Sequence, residues 1–153
     1  MPDTYSQIFL HFIFAVKDPE ELIREDIRER VEQYMTRLIQ GKKCRLMAIY
    51  CMPDHVHLLI QLHPTIAPAL LVQVLKVETT NFINENRLTD NHFYWQHAYG
   101  CFSHSREELK RILAFIREQP QHHSAKNFRE EYLELLTFYH IDYQDEYLFA
   151  FFE

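Results

Sequence analysis

His55 and His57, one residue apart in the run CMPDHVHLLI (51–60), are the first side chains in this sequence with chemistry to offer. On an extended chain alternate residues share a face, so both imidazoles project the same way, with Cα atoms about 6.5–7 Å apart. Neutral ring nitrogens at that spacing can reach one divalent ion. The spacing is equally compatible with two surface histidines on an exposed sheet face. A zinc site recruiting Cys51 is less favoured, because the Pro53-Asp54 turn intervenes and no further ligand has matching spacing.

The pair needs a strand to carry it. Val56, Leu58, Ile60 and Leu62 alternate with His55, His57, Leu59 and Gln61, so the wholly apolar face turns to the core and the histidines face away from it. Strand alternation also runs through 5–17, with Ile8, Leu10, Phe12, Phe14 and Val16 on one side and Gln7 and His11 on the other. A helix is expected from Asp18 as N-cap and Pro19 at the first helical position, ending where Gly41 would take a left-handed conformation. Strands over 43–51 and 55–62, a helix over 66–86 and a strand over 93–103 follow, Gly100 marking a bulge or close backbone approach. Ser105 and Glu108 form a capping box for a third helix burying Leu109, Ile112, Leu113 and Ile116. A short helix near 128–139 precedes an aromatic tail. The order predicts an α+β, ferredoxin-like (RRM-like) βαββαβα sandwich, its antiparallel sheet covered by helices on one face and open on the other. One domain over 1–153 is expected.

At 47% apolar and 25% charged residues, the chain has an ordinary globular composition. Three cysteines without framework spacing argue for a reducing compartment, and the N-terminus has neither signal-peptide nor membrane-spanning character. A cytoplasmic location, bacterial or archaeal, without membrane association is therefore expected. The net charge of −6 argues against a nucleic-acid partner, but its distribution does not. Residues 104–129 carry six Lys and Arg against three Glu, whereas 130–153 carry seven acidic groups and no Lys or Arg. A local basic surface remains open, as does a plain solvated helix face.

The segment MPDHVHLLI resembles the histidine-hydrophobe-histidine motif of the HUH nucleases. Its form is that of the single-tyrosine transposases of the insertion-sequence-200-like family, REP-associated tyrosine transposases among them. YSQIFLHFIFAVK resembles the family's opening strand, FYWQHAYGCFSHS its fourth strand, and FIREQPQHHSAKNFREEYLELL its third helix and sequel. The resemblance implies binding of single-stranded DNA hairpins at element ends, cleavage through a 5′-phosphotyrosine, and rejoining without an energy source. It further implies a divalent metal, Mg²⁺ or Mn²⁺, on His55, His57 and Gln119, and a homodimer with composite active sites. Such an ion would orient the scissile phosphate and neutralise charge on its oxygens.

One position departs from the pattern. Phe115 stands where the family's nucleophilic tyrosine belongs, four residues before Gln119. Phenylalanine keeps the ring but has no oxygen to attack phosphorus, so a cleavage-deficient protein is expected. Glu118 and the HAYG segment also depart from the family's usual asparagine and EGYG. Tyr99 or Tyr132 could stand in only by losing the i, i+4 relation to Gln119. Two rival readings are a regulatory or domesticated hairpin-DNA-binding protein without catalysis, and an RNA-binding module using aromatics on the open sheet face. The latter is weakened by the lack of aromatics on the HVHLL strand.

Overall fold

A computed structural model describes residues 4–152. Its four antiparallel strands, β1 (Phe9–Ala15), β2 (Arg45–Cys51), β3 (His55–Gln61) and β4 (Gly100–His104), lie in the order β2-β3-β1-β4. This is the ferredoxin-like arrangement expected from the element order. β1 pairs with β3 through Ile13 opposite His57 and His11 opposite Leu59, and with β4 through His11 opposite Phe102. Helices α1 (Glu25–Gly41) and α2 (Pro68–Glu85) pack on one face. There Leu10, Phe12, Phe14, Val56, Leu58 and Ile60 meet Val31, Met35 and Ile39 of α1 and Leu71, Leu75 and Ile83 of α2.

The opposite face is not open. Helices α3 (Leu109–Arg117), α4 (Gln119–His122) and α5 (Phe128–Phe138) cover it. Phe9, Ala48 and Leu59 pack with Leu109, Ile112 and Ile116, while Ile13, Ala15 and Phe102 pack with Phe128, Tyr132 and Leu136. Every residue of β1 is therefore buried. The strand alternation assigns the two faces correctly, but both are covered, because the apolar stripes of α3 and α5 need a surface on which to bury.

Other boundaries also differ from expectation. The first helix starts at Glu25 rather than after Asp18, because Asp18 accepts from Glu20 N through its side chain and from Glu21 N through its carbonyl, making a turn. Glu21 then turns inward to accept from Asn91 N and Nδ2, which pins the segment. Gly41 is the last helical residue and not left-handed; Lys43 takes that conformation at φ 62°. The fourth strand begins only at Gly100. Ahead of it the carbonyls of Gln96, His97 and Ala98 accept from Lys76 Nζ at 2.7–2.9 Å instead of entering the ladder. Among the described residues no helix is long and apolar enough to cross a membrane.

Candidate metal centre beneath the C-terminal helices

β3 delivers His55 and His57 to the face covered by α3–α5, both fully buried. The turn before β3 supplies Asp54, whose Oδ1 accepts from His55 Nδ1 at 2.7 Å. Burial alone would raise the Asp54 carboxyl, but the His55 bond outweighs it and holds the group below the usual carboxylate range. With Nδ1 engaged, His55 points Nε2 into the site. Phe128 stacks flat on the same ring, at 3.8 Å between centroids and 4° between planes, which fixes its orientation.

His57 is held from the other side. Its Nδ1 lies 2.8 Å from His11 Nε2 on β1, and its Nε2 lies 2.8 Å from Glu131 Oε1 on α5. Burial pushes the His57 imidazole down to about 4, even with Glu131 pulling the other way. Burial drives His11 well below its ordinary value too. Both rings are therefore neutral near pH 7.

α3 ends at Arg117, and Pro120 follows the first residue of α4, so Gln119 opens a new turn rather than continuing one helix. The expected relation of Phe115 to Gln119 on a continuous helix is thus interrupted, yet both still reach the histidines. Gln119 is fully buried, with Oε1 3.2 Å from His55 Nε2 and 2.9 Å from His123 Nε2, while Nε2 donates to Glu131 Oε2 at 3.0 Å. The Phe115 ring stands edge-on to His57 at 5.4 Å between centroids and lies 4.9 Å from the His122 ring. A cavity of about 220 Å³ between α3 and α5 is lined by His11, Arg111, Phe115, Glu131 and Tyr139 among others.

Two members of the site are not marked by motif or spacing in the sequence: His123 and Glu131. His55, His57, His123 and Glu131 offer ligand atoms that all lie within 4.8 Å of one another and could hold a metal ion. Burial would raise Glu131, but bonds from His123 and His57 reverse this and hold its carboxyl far below the usual range. The same bond outweighs burial at His123 and raises its imidazole. A signal for Glu131 did exist: it follows Phe128 by three and precedes Tyr132 on the buried side of α5, where an acid needs partners. Cys51 packs in the core on the α1 side of the sheet, away from this centre.

The alternative tyrosines have other surroundings. Tyr99 lines a groove with Lys76 and Trp95 at α2. Tyr132 packs its ring edge on Gly100, and burial pushes its phenol up to about 12.

A family model described as "Transposase IS200 like" matches residues 4–119. A putative transposase from Deinococcus radiodurans is similar in structure, with TM-score 0.62 and 18% identity, over 78% of this chain and 95% of that one. A REP-associated tyrosine transposase bound to a REP hairpin is also similar, with TM-score 0.59 and 11% identity, over 80% of this chain and 73% of that one. None of the curated proteins matches the sequence. Since the matched segment spans most of the chain and takes in the histidine pair, Phe115 and Gln119, this protein belongs to the IS200-like transposase family.

Proposed function

We propose that this chain binds single-stranded DNA folded into an imperfect hairpin. With Phe115 in place it holds the hairpin without forming a covalent intermediate. The observation that carries this reading is the Phe115 ring edge-on to His57: the family's nucleophile position borders the histidine pair, with a ring that lacks the attacking oxygen. Family membership supports it, as does the hairpin bound to the second structural relative. With tyrosine at 115 the same frame would act as a transposase, cleaving and rejoining element ends.

His55, His57 and Gln119 are the residues we assign to a divalent cation, Mg²⁺ or Mn²⁺ by the resemblance. The inward-facing acceptor atoms of this structure suit a cation. When bound, it would neutralise charge on a phosphate held beside it. The outer face of α3 suits the DNA backbone, since Lys110, Arg111 and Arg117 are exposed along one side of it. In this chain α3 and α4 cover the chain's own histidines, so the homodimer with composite sites that we carry forward would exchange that segment between copies. A dimer mass in solution is its expected signature.

The test is a titration of labelled hairpin, unstructured strand of equal length, duplex, and matching RNA hairpin. A preference for the DNA hairpin of about tenfold or more, weakening steeply between roughly 50 and 200 mM salt, is expected. Equal affinity for all four contradicts the proposal, and preference for RNA would favour an RNA-binding module instead.

A further inference from the structure

The cavity between α3 and α5 has on its wall a polar side chain that the fold leaves half satisfied. His11 is fully buried, and its Nε2 is engaged with His57 Nδ1 at 2.8 Å. Among the described residues its Nδ1 has no hydrogen-bond partner. A buried nitrogen left unpaired is destabilising, and on a cavity wall it is a place for a ligand. The Phe115 ring, 6.1 Å from the His11 ring between centroids, lines the same cavity and offers no hydrogen-bonding atom in return.

The remaining walls describe the ligand. Phe138 lines the cavity yet is 63% exposed, and the Arg111 guanidinium lies 5.9 Å over its ring. Tyr139 borders the same space, with its ring stacked on Phe102 at 5.1 Å between centroids. Three aromatic rings suit a flat heterocycle. Glu131 and Glu134 also line the cavity, so a phosphate or other anion would be repelled. A neutral base with acceptors on one edge and donors on another fits both the arginine and the carboxylate. Guanine has that pattern, because O6 and N7 accept from an arginine fork while its N–H groups can donate to a carboxylate. Arg111 gives one N–H to Glu108 Oε2 at 3.2 Å, and a guanidinium has further donors. Lys126 donates to Glu134 Oε2 at 2.6 Å, and a carboxylate accepts from more than one donor.

We propose that this cavity receives one unpaired guanine of the bound DNA strand. Arg111 and Glu134 read its two edges, the Phe115, Phe138 and Tyr139 rings enclose it, and His11 Nδ1 meets it at the buried end. The inference rests on the reading that the chain binds hairpin DNA, and deepens it by naming a base and the pocket that takes it. Arg111 belongs to the exposed stripe of α3, so a strand whose backbone follows that stripe passes the mouth of the cavity. Stem bases are paired with each other, so the base that enters comes from a loop or a single-stranded tail.

The test uses the full chain and a DNA hairpin whose loop and single-stranded tails are all thymidine. One loop or tail thymidine at a time is replaced by deoxyguanosine, deoxyadenosine or deoxycytidine. Guanine at one position should strengthen binding about tenfold, with adenine and cytosine there giving less. Arg111→Gln should remove that preference, and Phe138→Ala should reduce it about fivefold or more. The two side chains are 60% and 63% exposed, so neither variant threatens the fold. The His11 Nδ1 resonance should shift with the guanine-bearing hairpin and not with the all-thymidine one. No base preference at any position, or a preference that survives both variants, overturns the proposal. So does an Arg111→Gln loss that is equal for every base, which would mark a phosphate contact instead. Hairpin binding without base preference sinks only this inference, whereas failure to bind any of the hairpins sinks the functional reading with it.

Discussion

Asp54 and His11 hold the histidine pair from behind, and single substitutions there should act through the imidazoles they orient. Asp54→Ala removes the acceptor of the 2.7 Å bond from His55 Nδ1 and frees that ring to change tautomer. Metal affinity should fall about 10–100-fold with the fold intact, read as a smaller metal-induced rise in melting temperature. An unchanged rise would mean that Asp54 does not orient His55. The sequence showed His55 and His57 through strand parity, and Gln119 through resemblance. It did not show His123 or Glu131 as site members, because their approach depends on how α4 and α5 close over β3, a long-range packing event with no local periodicity. Expecting the histidines on an open face failed for the same reason.

At the scale of elements, two glycines make opposite predictions. A Cβ on Gly100 would sit 2.8 Å from Tyr132 Oη and 2.9 Å from its Cε1, so the start of β4 and the side of α5 approach too closely for any side chain. Gly100→Ala should lower stability by about 1–3 kcal/mol, and Tyr132→Phe in the same background should recover part of that. Denaturant midpoints read both. Gly41 ends α1 with nothing within 4 Å of an added Cβ, so Gly41→Ala should stabilise by about 0.5–1 kcal/mol. Strand alternation and the Ser105–Glu108 capping box were legible because they are local. The late start of α1 was not, because Asp18 and Glu21 are diverted by a side-chain turn and by Asn91, seventy residues away.

For the whole molecule, net charge and interaction surface point in different directions. The chain carries −6, yet Lys110, Arg111 and Arg117 stand exposed on α3 above the buried centre. If that stripe meets the DNA backbone, Lys110→Glu with Arg117→Glu should weaken hairpin binding at every sequence. It should also flatten the salt dependence by about one unit of log–log slope for each phosphate no longer neutralised. An unchanged slope would place the DNA elsewhere. Family membership, a histidine pair under a covering helix and a ring without an oxygen support the proposal that this chain holds hairpin DNA without a tyrosine to attack it. The most direct measurement incubates wild type and Phe115→Tyr with a hairpin substrate and Mg²⁺ or Mn²⁺, then separates the products on a denaturing gel. A protein–DNA adduct with Phe115→Tyr and none with wild type is the predicted result; an adduct with wild type, or none with a folded Phe115→Tyr protein that binds the hairpin, would contradict it.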